Sequence, residues 1–224
     1  MSKKKKKDYN SYVDRPALKP QTPKQAKYIN AIRNMSIVVG TGYPGTGKSY
    51  IPAVIAADML AEGKVDKLVI CRPNVGVGKT IGLLKGDLVE KMRPWCAPIL
   101  DVLETRLGKS YVQYLVERGV IELLPLEYAR GKSFDNAFVI LDEAQNVDKE
   151  SLKCLMLRLG RDSKLVIDGD VNQCDIGEST GLSALIKLMN EYHMPATHVN
   201  FDIEDIVRSD ICKYLIKLFD EAKF

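Results

Sequence analysis

Gly42-Tyr43-Pro44-Gly45-Thr46-Gly47-Lys48-Ser49 fits the pattern G-x-x-x-x-G-K-[ST], and its reading decides the fold. Glycines let a backbone wrap closely around an anion with its N–H groups pointing inward. A helix expected to begin near Lys48 adds the positive end of its dipole. In that arrangement Lys48 reaches the β- and γ-phosphates of a nucleotide, and the Ser49 hydroxyl holds Mg²⁺. Ile37-Val38-Val39 reads as a strand entering the loop, and an apolar helical stretch leaves it. The local order is therefore strand, phosphate loop, helix.

Outward from the loop, short apolar runs alternate with helical patterns. Strands are expected at 36–40, 67–71, 120–124, 138–141, 164–168 and 198–201. They are continuous apolar runs rather than alternating ones, as expected of strands buried on both faces. Helices are expected at 48–62, 87–106, 110–118, 148–159, 182–191 and 205–222. Thr22 and Pro23 read as the N-cap and first turn of an earlier helix that runs to about Asn34. This repetition predicts an α/β fold: one parallel sheet flanked by helices on both faces. No internal repeat and no second domain is evident.

Two further elements supply acids at strand ends. Phe138-Val139-Ile140-Leu141-Asp142-Glu143 is a buried strand ending in a carboxylate pair, the Walker B pattern. Asp142 is expected to bind the metal, and Glu143 to orient and deprotonate an attacking water. Leu165-Val166-Ile167-Asp168-Gly169-Asp170 leads to Gln173. Ligands of a parallel sheet bind beyond the carboxyl ends of its strands, which sets Asp170 and Gln173 on the same edge as the loop. A glutamine there can sense the γ-phosphate and pass the signal on.

Charge argues against a basic, duplex-coating domain. The chain has 33 basic and 29 acidic residues, but five of the lysines form the run at 3–7. Without them 28 basic residues face 29 acidic ones, so the body is near neutral. Residues 1–20 are polar, basic and contain Pro16 and Pro20, and are expected to be a disordered arm ahead of a domain at 21–224. Asp8-Tyr9-Asn10-Ser11 follows the lysines where a signal peptide would turn apolar. No apolar run is long enough to span a bilayer, so no membrane association is expected. Cys71, Cys96, Cys154, Cys174 and Cys212 are odd in number and form no CxxC pair. Reduced thiols in a cytoplasmic protein are the reading. His193 and His198 lie beside no hydrolase motif and are read as structural or surface residues.

With these motifs in place, the chain resembles the PhoH-like family of P-loop ATPases, related to the motor core of superfamily 1 helicases. The likeness runs from about Gln21 to Lys217. Thr22-Pro23-Lys24-Gln25 resembles the family's Q-type segment, and Gly42 to Ser49 its GPAGTGKT loop. Cys71-Arg72-Pro73, Leu124-Pro125-Leu126 with Arg130-Gly131-Lys132, and Leu141-Asp142-Glu143-Ala144-Gln145-Asn146 are similar to its RP, PL…RGR and LDEAQN motifs. Gly169-Asp170 with Gln173 and Asp175 is similar to GD…Q.D, and Asp205-Ile206-Val207-Arg208 to DVVR. Gly76 and Lys79 stand where the family carries acids, and Leu83-Leu84-Lys85-Gly86 replaces a more apolar run.

The resemblance implies a RecA-like P-loop NTPase domain using ATP and Mg²⁺, in a homo-oligomeric ring such as a hexamer, acting on RNA or single-stranded DNA. It implies that Gln25 reads the adenine edge. The nucleotide-binding set is then Gln25, Gly42, Tyr43, Pro44, Gly45, Thr46, Gly47, Lys48, Ser49 and Tyr50, with Ser49 and Asp142 on the metal. Lys48, Glu143, Gln173 and Arg208 form the catalytic set. A neighbour's arginine is expected to complete the site; Arg208, Arg158 and Arg130 are the candidates, Arg208 first. Arg72, Lys79, Lys85, Arg130 and Lys132 are candidates to line a nucleic-acid channel, although aromatics are only 7% of the chain and no stacking motif is visible. An ATP-binding switch with little turnover and, lower in rank, a ribonuclease are the alternatives.

Overall fold

The strand runs found in the sequence assemble as one sheet. The computed structural model describes residues 15–73, 88–170 and 180–222. Its strands are β1 (Ile37–Gly42), β2 (Lys67–Arg72), β3 (Ile121–Pro125), β4 (Ala137–Leu141), β5 (Lys164–Gly169) and β6 (Thr197–Phe201). All pairings are parallel, in the order β3-β2-β4-β5-β1-β6. One strand, β5, separates the strand that enters the phosphate loop from the strand that ends in Asp142, which is the RecA-like arrangement expected.

The helices are α1 (Pro23–Asn34), α2 (Tyr50–Ala61), α3 (Leu88–Leu107), α4 (Lys109–Glu117), α5 (Lys149–Met156), α6 (Gly181–Glu191) and α7 (Asp210–Ala222). Side chains alternate across the pleat and sort into two cores. Val38, Leu68, Ile70, Phe138, Ile140 and Val166 face a core shared with α1 to α4. Val39, Val69, Val139, Leu141, Leu165 and Ile167 face the core under α5 and α6. Double burial explains why the strands carry no polar alternation. Caps fix where helices begin: Thr22 accepts from Gln25 N at 3.2 Å, Asp148 from Ser151 N at 2.9 Å and Thr180 from Ser183 N at 3.1 Å. Arg106 on α3 donates twice to Asp58 on α2, at 2.7 Å each, and ties those helices together.

Several boundaries differ from expectation for physical reasons. β1, β2, β3 and β5 each run on by one or two residues, to Gly42, Arg72, Pro125 and Gly169. Helix 148–159 stops at Met156 because Arg158 and Gly160 turn to bond Phe134 backbone. Helix 205–222 does not start at 205. Asp202 caps a short turn at Ile203–Asp205, and Val207 N then donates to Gly45 O at 3.0 Å, which pins the segment to the phosphate loop before α7 begins. Of the expected arm, residues 1–14 lie outside the described residues. Further on, Leu18 packs against the first core and Pro16 O accepts from Arg106 at 2.8 Å. Among the described residues no helix is long and apolar enough to cross a membrane. Cys71, Cys96, Cys154 and Cys212 are free thiols, and Cys174 lies outside the described residues.

Candidate active site

The register of the sheet builds the site. Cys71 lies beside Leu141, and Leu141 beside Ile167, so the next residues, Arg72, Asp142 and Asp168, share one level at the carboxyl edge. Gly40 pairs with Asp168, which brings the phosphate loop to the same level. A cavity of about 380 Å³ opens there, lined by Lys48, Ser49, Asp142, Glu143, Asp168 and Asp170, by Pro44, Gly45, Gly47 and Tyr50 of the loop region, and by Arg208.

Glycine is required in the loop. Gly42 has φ +116°, and a Cβ there would lie 1.9 Å from Phe201 O on β6. Gly45 has φ +80°, and a Cβ there would press into the Arg208 side chain at 2.8 Å. Lys48 Nζ lies folded back on the loop, donating to Gly42 O at 2.5 Å and Tyr43 O at 2.7 Å. Burial pulls the Lys48 pKa down, against Asp168, Asp170, Glu143 and Asp142, which favour its charged form. Ser49 Oγ points at Asp142 Oδ1 from 3.4 Å. Thr46 is fully buried and bonds Tyr43 O, while Tyr43 OH reaches Asp220 of α7 at 2.9 Å.

Gln25, the expected adenine reader, lies behind the phosphate loop. It is 4% exposed, its Nε2 donates to Thr46 O at 3.0 Å, and its Oε1 accepts from Gln21 N at 2.8 Å. Both ends of the amide are engaged, so the side chain braces the loop from behind. Tyr50, 53% exposed, stands at the cavity wall. Gln173, Lys79 and Lys85 lie outside the described residues.

The acids are held by Arg72 and Gln145, to which the sequence reading gave no role at them. Arg72, one of the candidates to line a nucleic-acid channel, spans the Walker B pair, with Nη1 3.3 Å from Asp142 Oδ2 and Nη2 3.0 Å from Glu143 Oε1. It also donates to Trp95 O and lies 5.9 Å from the Trp95 ring centroid. Gln145 Nε2 donates to the other oxygen of Glu143 at 2.5 Å, and its Oε1 accepts from Asp170 N at 3.1 Å. Glu143 sits at φ +57°, a left-handed conformation that a non-glycine residue keeps only when its surroundings over-determine it.

Asp168 was not singled out, although its place at the end of an apolar strand was the available signal. It is 2% exposed; burial, and then Asp142 beside it, push its pKa well up, while Lys48 and Ser49 oppose this. Its Oδ2 receives no hydrogen bond among the described residues.

The bond from Val207 N to Gly45 O lays Arg208, the first of the three candidate arginines, over its own chain's loop, where it lines the cavity. Arg130 and Arg158 instead share a separate cavity of about 410 Å³. Lys132, another channel candidate, is paired to Glu122 at 2.5 Å. His198 Nε2 lies 2.7 Å from Thr41 Oγ1 beneath the sheet edge, a structural role.

The donor set fits a hard cation and a phosphate. Ser49, Asp142 and the orphaned Asp168 oxygen are all hard donors, and Lys48 at the same cavity suits a phosphate. Among the described residues no group of three His, Cys, Asp or Glu side chains forms a metal cage. Mg²⁺ bound through one or two protein oxygens plus phosphate needs none.

A family model described as PhoH-like protein matches residues 17–220. The PhoH-like protein of Bacillus subtilis (strain 168) is 38% identical over 207 residues, covering 92% of this chain and 65% of that protein. Protein PhoH of Escherichia coli (strain K12) is 40% identical over 193 residues, covering 84% of this chain and 54% of that protein. The chain thus spans less than two thirds of either relative. A crystal structure of Pif1 helicase from Candida albicans aligns with 83% of this chain and 41% of that one at 15% identity, with a TM-score of 0.37, a likeness too weak to carry an argument.

Proposed function

The chain belongs to the PhoH-like protein family, and from that premise we propose that it is a Mg²⁺-dependent ATPase that works as a homo-oligomer on RNA or single-stranded DNA. One observation carries the hydrolytic reading: Lys48, Ser49, Asp142 and Glu143 line one cavity at the carboxyl edge of the sheet.

In this reading Lys48 exchanges the carbonyls of Gly42 and Tyr43 for the β- and γ-phosphates, while the loop amides cradle them. Mg²⁺ would be held by Ser49 and Asp142, and when bound it supplies charge neutralisation on the phosphate oxygens. Arg72 and Gln145 grip one oxygen each of Glu143, which fixes its direction as it orients and deprotonates water. Arg208 acts in cis on the charge that develops in the transition state. Gln145 links Glu143 to the Asp170 backbone, so a change in the loop after β5 reaches the catalytic acid directly.

Two substitutions test the reading. Lys48→Ala should abolish binding of labelled ATP. Glu143→Gln should bind it normally yet lose roughly 10²–10⁴-fold in turnover. Unchanged turnover in Glu143→Gln would instead favour an ATP-dependent switch.

The oligomer reading draws on α7, which has no buried residue. Ile211, Tyr214, Leu215 and Leu218 form an exposed apolar stripe at helical spacing, and the same helix touches the phosphate loop through Tyr43. A neighbouring copy seated there would lie beside the ATP site, and Arg158 or Arg130 could then reach it in trans. The nucleic-acid part draws on the lysines at 3–7 and on exposed Arg130. ATPase rate with and without single-stranded RNA or DNA tests it; no response to either removes this part.

A further inference from the structure

Asp168 is a buried acid of the cavity whose side chain the proposed mechanism does not use. The register sets it beside Asp142 on one side and Gly40 on the other, below Ser49 and Lys48. It is 2% exposed, it lines the cavity, and its Oδ2 receives no hydrogen bond among the described residues. Two nearby cations make their hydrogen bonds and ion pairs with other groups. Arg72 spans Asp142 and Glu143, and Lys48 is folded onto the carbonyls of Gly42 and Tyr43. A buried carboxyl oxygen with no donor, beside a second carboxyl, is satisfied by a proton shared between the two or by a cation that takes its place. Ser49 Oγ, 3.4 Å from Asp142, adds a neutral oxygen to the same point.

We propose that Asp168 is a third oxygen ligand, which with Ser49 and Asp142 forms a divalent-cation site able to fill before any nucleotide arrives. This rests on reading the cavity as a Mg²⁺-nucleotide site. Three hard oxygen donors, two of them carboxyl groups that bind as carboxylates once the cation displaces any proton, select Mg²⁺ or Mn²⁺ over softer ions. The cation then provides the positive charge that Lys48 withholds while it is bonded to the loop, and it presets Ser49 for phosphate.

The test is Mn²⁺ titration of the nucleotide-free full chain, with free Mn²⁺ read by electron paramagnetic resonance. Wild type should show one saturable site per chain. Asp168→Asn, which keeps the shape and removes the charge, should bind at least tenfold more weakly. Mn²⁺ should also raise the melting temperature of wild type and leave that of Asp168→Asn nearly unmoved. Asp168→Thr serves as a second variant if the amide fails to fold. Absence of saturable binding by nucleotide-free wild type, or equal binding by the variants, overturns the proposal. Labelled-ATP binding measured in parallel separates the two readings. Intact ATP binding without prior Mn²⁺ binding overturns the cation site alone. Asp168-dependent Mn²⁺ binding without ATP binding upholds the cation site and overturns the nucleotide reading.

Discussion

At the residue scale, Arg72 carries more of the site than its position in the sequence suggests. Its side chain is 18% exposed and it faces Asp142 at 9% and Glu143 at 39%. Removing the charge leaves two carboxylates close together with nothing between them. A fully buried pair broken in this way costs about 3–5 kcal/mol, and the more open Glu143 side lowers the expectation for Arg72→Gln to about 2–3 kcal/mol. Urea unfolding measures this; a loss below about 0.5 kcal/mol would mean that solvent already screens the pair. The same variant should lose turnover while keeping ATP affinity, because Arg72 touches Glu143 and none of the phosphate loop. Lys48, Ser49, Asp142 and Glu143 were legible because the motif spacing itself states the chemistry. Arg72 and Asp168 were not, because their meaning depends on which strand lies next to which.

At the element scale, β3 is an edge strand held partly by charge. Glu122 takes Lys132 at 2.5 Å from the loop after it, and pairs with Lys67 on the neighbouring β2. Burial alone would raise the Glu122 pKa, but the bonds from Lys132 and Lys67 outweigh it and hold the carboxyl below its ordinary value of 4.5. A carboxylate with a lowered folded-state pKa contributes stability that is present above the unfolded value and lost as pH falls through the folded one. Glu122→Gln should therefore be less stable than wild type near neutral pH, by about 1 kcal/mol since both lysines are partly exposed. That difference should shrink as pH falls below 4.5, the ordinary Glu value. Thermal melts across pH 3–7 at roughly one-unit steps would check it, and a gap that widens in acid would contradict the assignment. The helices were placed well by caps and apolar patterning. The last one was not, because the hydrogen bond that delays it, from Val207 to Gly45, joins residues far apart in the chain.

For the whole molecule, the question is whether one chain completes its own site. Arg208 lines the cavity of its own chain, and the exposed stripe of α7 offers a surface for a second copy. A shared site predicts an ATPase rate per chain that rises with protein concentration, and Tyr214→Asp should flatten that dependence without unfolding the chain. A rate per chain independent of concentration in wild type would argue for a self-sufficient site. The five lysines at 3–7 account for the whole positive excess and lie outside the matched family residues. Deleting residues 1–7 should leave basal ATP hydrolysis unchanged and weaken any stimulation by single-stranded nucleic acid, most visibly at low salt.

The sequence by itself determined the α/β class, the phosphate loop and the Walker B acids. Each of these is written in contiguous residues, where local chemistry and the periodicity of burial suffice. Only the tertiary structure decided that Arg72 serves the acids, that Arg208 lies over its own loop, that Gln25 braces that loop, and that Asp168 stands buried beside Asp142. Those facts come from parallel register and from a chain segment returning to the loop after β6. Both are long-range pairings, and no local pattern encodes which distant residues will be brought to the same level of the sheet.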